Sequence, residues 1–250
     1  MDISLDDAYA LGSPDDARRL YARWAATYES DFVARSGYHH PRVIAEIFHD
    51  VVPEVGTAVD AGAGTGLVGA HLCALRPGLA LDGIDLSAEM LAVASAKGVY
   101  RTVYERDLTQ PVRDTGAPYD ALISIGLFTH GHLGPEALGR LIPLVRPGGH
   151  VVIGANESHF LELRFEEALV SLGVADLELR RVRVYAEGSS HRDSLNVVST
   201  FRVPIPSPGP ESRPRADDGP PLLSWGGRDS WGWLTPHPAR RRTTGVGPPH

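Results

Sequence analysis

Apolar positions along the chain follow two rhythms, and the change between them near residue 55 divides it. Up to residue 54 the rhythm is helical. Between Asp15 and Arg35, Leu20, Trp24 and Tyr28 recur every four residues, which sets them on one face of a helix. Pro14 after Ser13 suits the first turn. A second helix is predicted from Pro41 to Val52, with Val43, Ile44, Ile47 and Phe48 as its stripe. Beyond residue 55, short apolar runs alternate with helical periods. Strands are predicted at Thr57–Asp60, Leu79–Ile84, Val99–Tyr104, Tyr119–Ile125, His150–Gly154, Leu177–Ala186 and Leu195–Val203. Helices are predicted at Leu67–Leu75, from a Ser87 cap to Lys97 with Gly98 closing it, at Pro135–Val145, and at Ser158–Leu172 before Gly173. Pro147-Gly148-Gly149 reads as a turn and Gly188-Ser189-Ser190 as a hairpin loop. The nearly continuous apolar run at Tyr119–Ile125 suits a parallel strand covered on both faces. Alternation ending in a hairpin predicts an open α/β sheet, mostly parallel with one antiparallel strand.

Three zones follow: a helical cap (1–54), the alternating domain (55–203) and a tail (204–250). The tail holds 11 of the 20 prolines, the run Arg240-Arg241-Arg242, and Trp225, Trp231 and Trp233. It has no sustained period, so it is predicted to be disordered unless the tryptophans dock.

Bulk composition narrows the function. Two hundred and fifty residues suffice for one large buried core. A formal net charge of -7 argues against a general nucleic-acid binder, which needs a basic face. The single cysteine, Cys73, makes no internal disulfide and no cysteine metal site, and fits a reducing compartment. No signal-peptide pattern and no apolar run near the roughly 18 residues that span a bilayer is found. The expectation is a cytoplasmic, soluble protein with no membrane or nucleic-acid partner, no bound metal, and an undetermined oligomeric state.

Chemistry concentrates at Asp60-Ala61-Gly62-Ala63-Gly64-Thr65-Gly66, between the first strand and the following helix. Glycines permit a close backbone approach to a ligand, and the helix start offers free N–H groups. Gly64-Thr65-Gly66-Leu67-Val68-Gly69 matches the dinucleotide fingerprint letter for letter. Against that, Asp60 stands two residues before Gly62, where a carboxylate repels a pyrophosphate but suits an ammonium and a sulfonium. Asp85 ends the next strand, where a carboxylate takes both ribose hydroxyls in either nucleotide class.

These blocks resemble the class I methyltransferases. The match runs through Val59–Gly66, Gly83-Ile84-Asp85-Leu86-Ser87-Ala88-Glu89-Met90, Asp107-Leu108, Tyr119–Ser124 and Leu144–Gly149, in order over residues 55–203. A closer likeness, to the methyltransferase-like proteins named after the Williams-Beuren syndrome region, rests on Tyr21–Tyr28, Lys97-Gly98-Val99-Tyr100 and Ser124–Leu138. The chain departs from that subfamily at Ala22 and Glu29, where Asp is usual, and at Ala63, where Cys is frequent.

The resemblance implies a Rossmann-like, seven-stranded, mostly parallel sheet with an antiparallel C-terminal hairpin strand and an N-terminal helical cap. It implies S-adenosyl-L-methionine as cofactor. Gly62, Gly64 and Gly66, with Ala61 and Ala63, would lie under its methionine part and Asp60 would hold its ammonium. Asp85 would bind the ribose, Leu86 and Met90 flank the adenine, Asp107 accept from its amino group, and Leu108 pack nearby. Ile125 and Gly126 would form the floor, and Tyr21, Trp24 and Tyr28 a helix closing over it.

The acceptor is expected to be a small molecule, methylated at N, O, S or C by in-line displacement. His130 and His132 follow the fourth strand, on the ligand side of such sheets, and are the candidate general bases. Two alternatives are a nicotinamide-dependent oxidoreductase and a cofactor-binding regulator without catalysis.

Overall fold

A computed structural model describes residues 7–8 and 11–206. The cap begins with α1 (Pro14–Trp24), whose first turn Ser13 caps through its hydroxyl at the Asp16 amide. The helix predicted over Asp15–Arg35 is not continuous. After Trp24 the chain turns, rewinds as a π-helix over Glu29–Val33 and ends in a short α2 (Ala34–Ser36) before Gly37. An unbroken α-helix would swing Phe32 about 80° around the axis from Trp24. The break instead lets Trp24, Tyr28 and Phe32 pack as a trio, with ring centroids 5.1 to 5.7 Å apart. Next, α3 (His40–Val51) buries Ile44, Ala45 and Phe48 against the sheet. Its last carbonyls are satisfied by the buried Arg76 guanidinium, which donates to the carbonyl oxygens of His49, Val52 and Pro53.

The sheet comprises β1 (Thr57–Ala61), β2 (Ala80–Asp85), β3 (Thr102–Glu105), β4 (Tyr119–Phe128), β5 (Val145–Asn156), β6 (Ala175–Arg183) and β7 (Leu195–Arg202). Their order is β3-β2-β1-β4-β5-β7-β6, parallel throughout except that β7 runs antiparallel to both neighbours. Helices α4 (Leu67–Leu75) and α5 (Ala88–Ala96) connect β1 to β2 and β2 to β3. One apolar cluster fills each face of the sheet, and a third joins the cap to Met90, Val184 and Tyr185. Backbone pairing of Tyr38 with Tyr185 fixes the cap to the segment after β6.

Three further elements depart from the pattern-based reading. The helix predicted at Pro135–Val145 is a 3-10 turn (Pro135–Ala137), one α-turn that we label α6 (Leu138–Leu141), and a second 3-10 turn (Ile142–Leu144). Pro143 supplies no N–H to continue it. The helix predicted at Ser158–Leu172 is split at Arg164, in the left-handed region at φ 54°, into α7 (Glu157–Glu162) and α8 (Phe165–Ser171). Five positions on one helix put Phe160 and Phe165 on different faces; the split buries both, with rings stacked 5.5 Å apart. Finally, β5 starts at Val145, so Pro147-Gly148-Gly149 forms an irregularity within the strand rather than a turn ahead of it.

Among the described residues no helix is long and apolar enough to cross a membrane. The tail reading covers residues 204–250, of which 207–250, with the three tryptophans, lie outside the described residues.

Candidate functional site

Strand order reverses between β1 and β4, and their carboxyl ends diverge there into a crevice. A cavity of about 370 Å³ occupies it, lined by the glycine loop, the ends of β2 and β4, and the cap. Ser124 ties the two strand tips together, its hydroxyl donating to the Ala61 carbonyl at 2.7 Å. The loop turns back over β2: the Gly62 and Ala63 amides both donate to the Ile84 carbonyl. Gly64 adopts φ 53°, and a Cβ built on it meets nothing within 4 Å, so that backbone faces open space. Gly66 caps α4 from behind the cavity wall.

Three carboxylates surround the loop. Asp85 joins its two sides: one oxygen accepts from the Gly64 amide at 2.8 Å and the other from Ser87 at 2.9 Å. Burial raises its pKa, against these backbone donors, which lower it. Asp107 anchors the loop after β3 by accepting from the Thr109 amide and hydroxyl. Asp60 does not line the cavity; it lies fully buried behind the loop. Its Oδ2 accepts from the Tyr100 hydroxyl at 2.7 Å, and its Oδ1 has no protein partner among the described residues. Burial pushes its pKa up to about 7, with Asp85 adding to the rise and the Tyr100 hydrogen bond opposing it.

Of the residues singled out from the sequence, the cavity gathers Tyr21, Tyr28, Gly62, Ala63, Gly64, Asp85, Leu86, Met90, Asp107, Leu108, Ile125, Gly126 and His132. It does not gather Ala61, Gly66, Trp24 or His130. Trp24 is buried behind Tyr21 and Tyr28. His130 turns to the Ser158 hydroxyl, 2.8 Å away. His132 bridges domain and cap, its Nε2 2.8 Å from the Tyr21 hydroxyl. Its Nδ1 lies 3.1 Å from the His130 carbonyl, which only accepts; Nδ1 therefore carries the proton and Nε2 accepts from Tyr21. Burial lowers the His132 pKa, and His159 adds to that, so the ring is neutral at pH 7.

The sequence reading gave no site role to several lining residues: Leu11 to Pro14 and Ala17 at the start of the cap, Tyr38 before α3 and Pro41 in its first turn, and Thr65 and Thr109. Nothing local marks the cap residues, which reach the cavity by tertiary packing. Tyr100 did carry a signal. Gly69 in the middle of α4 and Gly83 in the middle of β2 are not turn positions, and such glycines mark a close approach. Cβ atoms there would lie 2.5 and 3.2 Å from the Tyr100 ring.

Residues 59–151, from β1 into β5, match the family model described as a methyltransferase domain. Among solved structures, the [4+2]-cyclase SpnF is similar with a TM-score of 0.60 at 15% identity, the match covering 78% of this chain and 98% of that one. Phosphoethanolamine N-methyltransferase 2 of Haemonchus contortus, solved with phosphomonomethylethanolamine and S-adenosylhomocysteine, is similar with a TM-score of 0.57 at 17% identity, over 78% of this chain and 61% of that one. The plantazolicin methyltransferase BpumL, solved with S-adenosylhomocysteine, reaches 0.50 at 15% identity, over 76% and 99%. No curated protein sequence matches. The fold is thus the one shared by S-adenosylmethionine-dependent methyltransferases, and the oxidoreductase alternative is not favoured.

Proposed function

We propose that the protein is an S-adenosylmethionine-dependent methyltransferase acting on a small-molecule acceptor. The observation that carries this reading is the charge of the glycine-loop cavity. Asp85 and Asp107 line it, and no Lys or Arg does so among the described residues. A pyrophosphate there would meet carboxylates and no counter-charge, whereas a cofactor bearing a sulfonium and an ammonium is complementary. Asp60 Oδ1 and the loop's Thr65 Oγ1, both buried and without a hydrogen-bond partner among the described residues, fit a ligand that brings donors.

In this reading Gly62, Ala63 and Gly64 cradle the methionine part, with Ala61 and Gly66 shaping the loop, and Asp60 compensates the ammonium. Asp85 accepts from the ribose, Leu86, Met90 and Leu108 pack the adenine, and Asp107 accepts from its amino group. Ile125 and Gly126 form the floor. Tyr21 and Tyr28 close the cavity, and Trp24 fixes their ring positions. When bound, the cofactor supplies an electrophilic methyl; the protein supplies orientation and a dry site. His132, rather than His130, is the base within reach of an acceptor. The subfamily likeness is supported by the Tyr21–Tyr28, Lys97–Tyr100 and Ser124–Leu138 segments alone, and the cytoplasmic assignment by the single cysteine.

The test is incubation with methyl-labelled S-adenosylmethionine and a metabolite extract, read by mass spectrometry. Labelled products are expected; binding of the cofactor with no labelled product would leave only the non-catalytic regulator.

A further inference from the structure

Lys97 is the only lysine in a chain whose other Lys/Arg positions are all arginine. It closes α5, and its ammonium joins two other parts of the fold. Nζ donates at 2.5 Å to Glu29 Oε1, at the start of the cap's π-helix, and at 2.5 Å to the Thr65 carbonyl in the glycine loop. Lys97 and Glu29 do not line the cavity, but Thr65 does, and so does Tyr28, the residue before Glu29. One ammonium outside the cavity therefore ties a cap wall to the loop wall. We propose that Lys97 is a positioning residue for the cofactor: by joining cap and glycine loop it holds the part of the cavity that takes the methionine end in its binding shape. This rests on the methyltransferase reading above and adds the residue that couples two walls of that site.

The donor and acceptor types carry the argument. A carbonyl and a carboxylate only accept, and a compact ammonium with three donors serves both at once, where a guanidinium would present its donors in a fixed planar fork. The segment that begins at Lys97 grips both ends of the loop, because Tyr100, three residues on, donates to Asp60. Thr65 also keeps a buried hydroxyl without a hydrogen-bond partner among the described residues, so where its peptide is held decides what a ligand meets. The side chains of Lys97 and Glu29 are 24% and 40% exposed, and a pair that open adds little to global stability. Its weight falls on binding instead. When cap and loop separate in part of the population, apparent affinity drops by the fraction that stays competent. Linkage makes this reciprocal: a ligand that binds only the joined arrangement strengthens the Lys97 contacts by the factor they lend to it.

The experiment uses the full chain with S-adenosylhomocysteine and with 5′-methylthioadenosine, which lacks the amino-acid end. By calorimetry, Lys97→Met is expected to weaken S-adenosylhomocysteine about 5–30-fold and methylthioadenosine by less than about twofold, the loss of one charged hydrogen bond and a part-exposed ion pair felt at the methionine end only. Glu29→Ala should weaken S-adenosylhomocysteine about threefold in the wild-type background and have almost no effect in the Lys97→Met background, where its partner is gone. The melting temperature of each variant should stay within about 4 °C of wild type. Because the chain has one lysine, acetylation by an amine-selective reagent, read on the Lys97 peptide by mass spectrometry, reports the contact itself. Saturating S-adenosylhomocysteine should slow it about 5–30-fold, the same factor as the affinity loss. Equal weakening of the two ligands, independent losses in the two variants, or an acetylation rate that S-adenosylhomocysteine leaves unchanged overturns the proposal. Should Lys97→Met fail to fold, Glu29→Ala decides the matter, and unchanged affinity in it overturns the proposal. Failure of wild type to bind S-adenosylhomocysteine overturns the parent reading instead.

Discussion

The Tyr100 hydroxyl donates to Asp60 Oδ2 at 2.7 Å, joining the segment after α5 to the buried tip of β1 behind the glycine loop. This is the carboxylate's one hydrogen bond among the described residues, since Oδ1 has no partner. Burial of Asp60 makes stability depend on pH, and the Tyr100 bond moderates that dependence. The folded pKa of Asp60, about 7, is raised above its ordinary value of 3.8. Its contribution is therefore full below about pH 3.8 and lost as pH rises through 7. Tyr100→Phe removes the bond that opposes this rise. It should destabilise the protein by about 1–3 kcal/mol, more at pH 8 than at pH 5, as measured by urea denaturation at both values. Equal losses would show that the bond does not act through the ionised carboxylate.

Gly69 tests the packing that delivers Tyr100. A Cβ there would lie 2.5 Å from the Tyr100 ring. Gly69→Ala should cost about 1–3 kcal/mol despite the higher helix propensity of alanine. Adding Tyr100→Ala should cost less in the Gly69→Ala background than in wild type, a coupling read from a double-mutant denaturation cycle.

His40 should set part of the acid limit. It is fully buried against Gly154 of β5, its Nε2 is unpartnered among the described residues, and burial lowers its pKa from 6.5 to about 3. Below pH 6.5 the unfolded chain takes up a proton that the folded chain refuses. Stability present above pH 6.5 is thus lost as pH falls toward 3, by an amount on the order of a few kcal/mol. His40→Gln should flatten that limb between pH 6.5 and 4; an unchanged slope would remove His40 from the account.

Asp85 separates loop geometry from ligand binding. Both its oxygens already hold backbone amides, at Gly64 and Ser87. Asp85→Asn keeps one carbonyl acceptor but loses the charge. S-adenosylhomocysteine affinity should fall about 10–100-fold, the worth of one to two hydrogen bonds to a charged group. Isothermal calorimetry reads this directly, and unchanged affinity would refute the ribose role.

Much of the sheet was legible because β1, β2 and β4 are buried on both faces and therefore spelled as largely apolar runs, broken at Asp60 in β1 and at Asp82-Gly83 in β2. The same legibility gave the loop and the acids at strand ends, since a crevice at a switch point draws its ligands from those ends. Where several rings compete for one core, local period misleads. Phe160 with Phe165, and Trp24 with Phe32, override a continuous helix because burying both rings outweighs a few backbone bonds. The Leu11–Ala17 wall and the Tyr21–His132 bridge were illegible for another reason: they join residues far apart in sequence, 111 positions for the bridge. In the sequence Asp60 reads as a carboxylate at the loop that holds an ammonium; the structure buries it behind the loop on Tyr100, a partner delivered by glycines elsewhere.

The central claim is the identity of the cofactor, and calorimetric titration of the full chain with S-adenosylhomocysteine and, separately, with NAD tests it most directly. One S-adenosylhomocysteine per chain is predicted, with proton release near pH 7 as the ligand's ammonium drives ionisation of Asp60, and no binding of NAD. Tight binding of NAD without binding of S-adenosylhomocysteine would contradict the account.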